Sequence, residues 1–191
     1  MITIHAMEQA LALEPHRWTR EEYERMLEVG LLDEDDKVEL LYGVITAVSP
    51  EGDDHYAVVT ELLGLLAGAA AQRRLQVGSP MRATPDSEPE PDLALTAPRR
   101  ERGVPSTAQL AIEVVVTRRT AARVKIGIYA AAGVDEYWIV DVPNRVVEVF
   151  TRPAEGGYRD HRTLKGDDVL TVAEFGVETT VAGVFQRSGL S

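Results

Sequence analysis

The chain of 191 residues contains no cysteine. Disulfide bonds, thiol nucleophiles and cysteine-ligated zinc sites are therefore excluded, and the absence is typical of a cytoplasmic protein. No window of 18 or more apolar residues occurs, so no segment is predicted to span a membrane. The first residues have no basic stretch followed by an apolar one, so they do not have the pattern of a signal peptide. We expect a cytoplasmic location.

Several motifs of common enzyme classes are also missing. The sequence has no glycine-rich phosphate loop, no G-x-S-x-G elbow and no H-x-x-x-H pair. These motifs place phosphate-binding amides, a serine nucleophile and zinc-binding imidazoles, respectively. Their absence leaves little support for an NTPase or a serine hydrolase.

Positive charge is scarce overall but is concentrated in one segment. The net charge is -11, which argues against non-specific adhesion to nucleic acid. From Arg99 to Lys125, however, seven basic residues stand against two acidic ones. This segment is either a solvated helix surface or a place where phosphate groups are bound.

The apolar pattern predicts a single domain. Hydrophobic residues make up 45% and charged residues 27% of the chain, as in ordinary globular proteins. We expect a lead-in over residues 1–16 and one domain over 17–191. Thr19 and Glu22 have the spacing of a capping box at the start of the first helix. The predicted helices lie at about 19–30, 55–73, 120–132 and 181–185. The predicted strands lie at 38–48 (a hairpin or a bent strand), 75–83, 91–97, 109–116, 135–142 and 145–152, with a further hairpin at Gly156-Gly157.

These elements indicate an α/β or α+β fold built on one sheet. The segment 109–116 is the most apolar strand and is predicted to be central. The unit from 109 to 141 is expected to be a right-handed crossover. The segment 145–152 alternates between apolar and polar residues and is predicted to be half exposed. Tyr137 and Trp138 are expected in the core or in an oligomer contact.

Two acidic residues occur in strands that are otherwise suited to burial. Asp92 follows the alternating segment "EPEP" at the mouth of one strand, and Glu113 lies inside the most apolar strand. If these strands pair, both carboxylates can face one cleft, where they repel each other unless a cation or a shared proton neutralises them. Carboxylate ligands of this kind suit Mg²⁺ or Mn²⁺. Buried alone, Glu113 is costly, so it needs a metal, Lys125 or an arginine as partner.

Lys125 is the third element of the predicted site. It lies on the helix that follows the strand of Glu113 and can fold back over the strand end, where it could orient a water and stabilise negative charge. Tyr129 lies four residues further on and shares its face. Arg118, Arg119 and Arg123 lie nearby and could bind the phosphate backbone.

The set resembles the PD-(D/E)XK nucleases, and more specifically the Uma-type family of restriction-endonuclease-like proteins. The resemblance covers Trp18 to Arg152 and rests on "VELLYGVITAVSPEGDDH", "PEPDLAL", "LAIEVVV" and above all "KIGIYAAAGVDEYWIVDV". It implies a mixed sheet of four or five strands flanked by helices, here with additional C-terminal β-hairpins. It also implies a Mg²⁺- or Mn²⁺-dependent endonuclease that acts on DNA, and a homodimer.

The family pattern can be carried over to individual residues. Asp92 corresponds to the motif aspartate and Glu113 to the second acidic ligand. Val115 stands where the general motif has lysine, and Lys125 is implied to serve instead. Glu39 corresponds to an upstream acidic residue with a catalytic role, and His55 to a histidine that binds metal. Taken alone, Glu39 fits a surface strand and His55 a helix start equally well.

The sequence also departs from the family. Val116-Thr117 stands where Ser-Pro is expected, and Ala121 stands where an aspartate is expected. The site can survive these changes because Asp92 and Glu113 remain. They equally allow a catalytically degenerate member that serves as a nucleic-acid or protein interaction module, or a structural dimer without ligand.

Overall fold

The computed structural model describes residues 15–48, 52–68, 74–98, 103–117, 120–172 and 176–190. The predicted lead-in over 1–16 lies almost wholly outside these ranges, as do Arg118 and Arg119. The division into lead-in and domain stays a prediction.

The described residues form four α-helices and ten β-strands. The helices are α1 Arg20–Glu28, α2 Asp53–Leu66, α3 Thr120–Ala131 and α4 Val181–Arg187, with a short 3₁₀ turn at Glu34–Asp36. The strands are β1 Val38–Leu41, β2 Val44–Ala47, β3 Arg74–Val77, β4 Leu93–Thr96, β5 Leu110–Val115, β6 Glu136–Asp141, β7 Val146–Ala154, β8 Gly157–Lys165, β9 Val169–Val172 and β10 Val177–Thr180. Within the described ranges, none of the helices has the length and apolar character needed to cross a membrane.

One mixed sheet organises the fold, with strand order β3-β4-β5-β6-β7-β8. Only β5 and β6 pair in parallel, and all other neighbours are antiparallel. Helix α3 connects β5 to β6, as expected for parallel neighbours. The predicted mixed sheet with helices and C-terminal hairpins is therefore confirmed. The expected four or five strands were too few, because the long β7–β8 hairpin extends the sheet to six.

The two faces of the sheet pack against different helices. On one face, α2 and α4 contribute residues such as Leu62 and Phe185 to a core that includes Trp138. On the other face, Tyr129 of α3 packs with Tyr137. Tyr137 and Trp138 are neighbours in β6 and point to opposite faces, as strand geometry requires. Both are completely buried, which confirms the prediction that they belong to the core.

Helix α1 begins at the predicted capping box. The Thr19 hydroxyl accepts a hydrogen bond from the Glu22 amide at 3.2 Å, and the Glu22 carboxylate accepts one from the Thr19 amide at 2.8 Å. The hydroxyl of Tyr23, which is buried, donates to the Val38 carbonyl at 3.0 Å. This contact ties α1 to the β1–β2 hairpin.

Strand β7 is more buried than its sequence predicted. Val147, Glu148, Val149 and Phe150 are all buried, instead of alternating with exposed residues. Glu148 forms an ion pair with Arg123 of α3, and its Oε2 lies 2.9 Å from Nε2 of His161 of β8. The prediction of a half-exposed strand was wrong. Helix α3 packs over the face of β7 that carries Glu148 and supplies the cation that pairs with this acid.

The turn of the β1–β2 hairpin packs closely against α3. Tyr42 and Gly43 both have positive φ angles, of 49° and 74°, as in a two-residue turn of type I′. The turn brings the Tyr42 hydroxyl to Gly127, so near that a Cβ atom there would overlap it. The next atom of the Tyr42 ring would lie 3.7 Å from that Cβ. Only the hydroxyl therefore requires glycine at position 127.

Gly127→Ala is expected to have two opposite effects on the free energy of unfolding, and a second substitution separates them. Alanine favours the helix by about 1 kcal/mol, but in the wild type the Tyr42 ring must move to admit it. With Tyr42→Phe, the full helix gain should be recovered. Urea unfolding of the two single variants and the double variant measures this coupling. An identical effect of Gly127→Ala in both backgrounds would show that the contact is absent.

A pair of acidic residues, Glu24 on α1 and Glu88, predicts a pH dependence of stability. Burial raises the pKa of Glu88 to about 7, and its hydrogen bond with Glu24 adds to this, while Arg82 and Arg20 oppose it. An acid with a raised pKa in the folded state binds more protons when folded. The free energy of unfolding should therefore fall as the pH rises from 4.5, the ordinary value, to about 7. Urea unfolding between these pH values should show a shallower dependence in Glu88→Gln; an unchanged slope would contradict this.

Candidate active site

Asp92 and Glu113 reach the same face of the sheet. Asp92 comes just before β4 and Glu113 lies in β5, and these strands pair with Leu93 opposite Ile112. Side chains alternate along a strand, so both acids point to the face covered by α3. The Asp92 Oδ2 accepts a hydrogen bond from the Val114 amide at 2.6 Å. The structure therefore brings the two predicted acids together at one end of paired strands.

Lys125 joins three elements through one ammonium group. Its Nζ lies 2.9 Å and 3.1 Å from the two oxygens of Glu113 and 2.8 Å from Oε2 of Glu39. The side chain is 4% exposed, so these contacts are shielded from water. The ammonium is therefore held jointly by β1, β5 and α3.

Glu39 is placed by the segment that leads to Asp92. Strand β1 meets this segment where Leu40 pairs with Glu88, whose amide donates to the Leu40 carbonyl at 2.8 Å. The Glu90 amide donates to Oε2 of Glu39 at 3.2 Å. In "EPEPD", the prolines on either side of Glu90 have no amide hydrogen, so this amide is the single donor between them. Sequence reasoning missed the role of Glu90, although the alternating prolines are its signal.

His55 reaches the site through Asp92. It lies in the first turn of α2 and is 6% exposed. Its Nε2 is 3.1 Å from Oδ1 of Asp92, and the other Asp92 oxygen accepts the Val114 amide. The contact fits a residue that orients the carboxylate. The predicted role of His55 as a metal ligand stays a prediction.

The cavity carries more negative than positive charge. Burial raises the pKa of Glu113; Lys125 opposes this shift, and Asp92 and Glu39 add to it. Burial by itself would lower the pKa of Lys125, but Glu113 and Glu39 hold it above its ordinary value. Lys125 is therefore a cation in contact with two acids, Glu39 and Glu113, in a cavity that Asp92 also lines.

These side chains line a cavity of about 110 Å³. A buried water needs on the order of 10–15 Å³ of such volume, so a hydrated ion can enter. The cavity wall includes Val116, Thr117 and Ala121, the positions at which this sequence departs from the family pattern. The complete wall is formed by Glu39, Ala47, Val48, His55, Asp92, Glu113, Val114, Val115, Val116, Thr117, Ala121, Ala122 and Lys125.

The donor chemistry of the cavity fits a hard divalent cation. Among the residues that the structure describes, no three or more histidine or acidic side chains already form a metal-binding group. Mg²⁺ and Mn²⁺, however, commonly take one or two protein carboxylates and keep several waters. Asp92 and Glu113 supply such oxygens, and an added cation would offset the excess of carboxylates around Lys125.

Of the predicted phosphate-binding arginines, Arg123 lies within the described residues, and it is not among the residues that line this cavity. Arg123 extends from α3 to Glu148 on β7, and its side chain is 41% exposed. Arg118 and Arg119 lie outside the described residues, directly after Thr117 in the sequence. A nucleic-acid contact by any of the three stays a prediction.

A mixed six-stranded sheet flanked by helices is the fold of a restriction-endonuclease-like domain. Residues 20–182 match the family Uma2, described as "Putative restriction endonuclease". This match spans most of the chain, which therefore belongs to the Uma2 family. No curated protein matches the chain.

Two solved structures are similar to this fold. The first is the crystal structure of "a putative nuclease belonging to DUF820" from Anabaena variabilis, with a TM-score of 0.72 and 18% identity, covering 89% of this chain and 98% of that one. The second is the type IIG restriction endonuclease BpuSI, with a TM-score of 0.43 and 14% identity, covering 75% of this chain and 17% of that one. At this level of identity, the first similarity establishes the fold alone.

Proposed function

We propose that this protein is an endonuclease that depends on Mg²⁺ or Mn²⁺ and cleaves phosphodiester bonds in DNA. One observation carries the proposal: Lys125 is held by Glu39 and Glu113 in the same cavity as Asp92. Stability alone is a weak explanation for this buried cluster, because apolar residues of similar volume are often at least as stable. Three acids and one lysine in a cavity open to an ion favour a catalytic site.

Asp92 and Glu113 are the residues that would hold the ion. A divalent cation supplies a Lewis acid for a phosphoryl oxygen and a water of lowered pKa. His55 and the Val114 amide orient Asp92. Both contacts limit the rotation of its carboxylate, and partners of this kind tune metal affinity.

Lys125 acts as a fixed cation and not as a base. Its pKa is held above the ordinary value, so it keeps its proton at neutral pH. From this position it stabilises negative charge that develops on a phosphate during cleavage. Glu39 orients the ammonium, since its Oε2 already faces Lys125 and the Glu90 amide.

DNA is the proposed substrate, held by phosphate contacts from the basic segment. Arg118 and Arg119 follow Thr117, which lines the cavity, so they are the first candidates. Arg123 is the weaker candidate because it is paired with Glu148. A break in both strands of a duplex needs two sites, and we propose a homodimer for this reason.

A non-catalytic interaction module is the second candidate function. Val116, Thr117 and Ala121 favour it, because they give the cavity wall no further acidic or basic group near the two acids. In this case the cluster of Lys125, Glu39 and Glu113 would stabilise the fold without turnover.

Cleavage of supercoiled plasmid distinguishes the two functions. The wild type should nick or linearise the plasmid with Mg²⁺ or Mn²⁺ and lose activity in EDTA. Glu113→Gln should be inactive, whereas Glu178→Gln, which alters an exposed residue of β10, should retain full activity. Equal cleavage by all three proteins would point to a contaminating nuclease. Failure of the wild type to cleave any DNA while still binding it would favour the interaction module.

A further inference from the structure

Tyr129 is a buried side chain that contacts the site but has no part in the proposed chemistry. Its hydroxyl donates a hydrogen bond to Oε1 of Glu113 at 2.9 Å. The residue lies one helical turn after Lys125 on α3, and both side chains therefore approach Glu113 from the same side.

The two oxygens of Glu113 accept different numbers of hydrogen bonds. Oε1 accepts from both Tyr129 and Lys125, each at 2.9 Å. Among the residues that the structure describes, Oε2 accepts a single, longer contact, from Lys125 at 3.1 Å. Each carboxylate oxygen has about two lone-pair positions. Oε1 is therefore saturated, whereas the described residues leave a position open on Oε2.

The Tyr129 ring has little freedom to change this arrangement. It is completely buried and packs against Tyr137, with ring centroids 4.8 Å apart. Tyr137 in turn stacks on Phe150. The hydroxyl is thus supported from the sheet, and Glu113 cannot turn without losing a charge-assisted hydrogen bond.

We propose that Tyr129 is a positioning residue that makes Glu113 bind metal through one oxygen and so favours Mg²⁺ or Mn²⁺ over Ca²⁺. Ca²⁺ takes six to eight oxygens and readily uses both oxygens of a carboxylate, whereas Mg²⁺ requires a compact octahedral shell. Because hydrogen bonds occupy Oε1, Glu113 cannot bind a metal ion through both of its oxygens. This inference rests on the proposed metal site.

Calorimetric titration with Mn²⁺ and with Ca²⁺ tests the inference without any activity assay. In Tyr129→Phe, the ratio of the Ca²⁺ to the Mn²⁺ dissociation constant should fall about tenfold, the lower end of what partners of metal ligands contribute. Tyr137→Phe is the matched control: Tyr137 is equally buried, but its hydroxyl donates to the Ala122 carbonyl at 3.0 Å. Its ratio should equal that of the wild type.

A second variant, Tyr129→Met, removes the donor with an apolar side chain and should shift the ratio in the same direction. An unchanged ratio in the Tyr129 variants, with binding intact in the wild type, would overturn this inference alone. A wild type that binds neither ion would overturn the proposed metal site as well. Unfolding of both Tyr129 variants beside a folded Tyr137→Phe would also overturn it, because the hydroxyl would then be purely structural.

Discussion

Replacing Lys125 with methionine is expected to lower the free energy of unfolding by about 3–5 kcal/mol. Methionine has a similar volume, so the packing of α3 is nearly kept. What is lost is the ammonium between Glu39 and Glu113, two carboxylates that are 3% and 9% exposed. Without it, both acids are buried beside each other with no cation. Urea unfolding at neutral pH measures the loss directly.

Two further variants separate this effect from a general loss of charge. Arg25→Met breaks an ion pair with Glu28 in which both side chains are at least 65% exposed, and it should cost less than about 1 kcal/mol. Adding Glu39→Gln and Glu113→Gln to Lys125→Met should restore much of the stability, because the buried carboxylates are gone. If Lys125→Met costs no more than Arg25→Met, the cluster is not the buried network described here.

Asp92→Asn is expected to reduce metal-dependent DNA cleavage about a thousandfold or more. A divalent ion contributes several kcal/mol to transition-state stabilisation, and each 1.36 kcal/mol corresponds to a factor of ten in rate. Asparagine keeps the size of the side chain and can still accept the Val114 amide. The loss should therefore come from the missing charge and not from a local rearrangement.

His55→Ala provides the comparison that defines the role of the histidine. If His55 orients Asp92, the apparent affinity for Mn²⁺ should fall about 10- to 100-fold while saturating Mn²⁺ restores much of the cleavage rate. If His55 is instead a ligand, His55→Ala should resemble Asp92→Asn and resist rescue by high Mn²⁺. Steady-state cleavage rates over a range of Mn²⁺ concentrations distinguish these outcomes.

Local patterns in the sequence predicted the parts of the fold that depend on neighbouring residues. The capping box at Thr19, the hairpin around Gly43 and the strand of Glu113 were all correctly predicted. The pairing of β4 with β5 was a condition of the sequence argument, and the structure shows it. These features depend on spacing within a few residues, or on one strong chemical constraint.

Contacts between distant segments could not be predicted in the same way. Lys125 was one of three possible partners predicted for Glu113, and its equal contact with Glu39 depends on how the β1–β2 hairpin docks. The burial of Glu148 likewise depends on Arg123 approaching from α3. Single-sequence patterns carry no record of which distant cation will neutralise a given acid. For the same reason, the contact of His55 with Asp92 was not predicted.

Calorimetric titration of the metal-free protein with Mn²⁺ tests the central claim most directly. The account predicts one binding site per chain in the wild type, its loss in both Asp92→Asn and Glu113→Gln, and its retention in Glu178→Gln. Both acids must be required, because each supplies oxygen ligands to the same ion. Equal binding heats in all four proteins, or none in the wild type, would contradict the claim that the two carboxylates form a divalent-cation site beside Lys125.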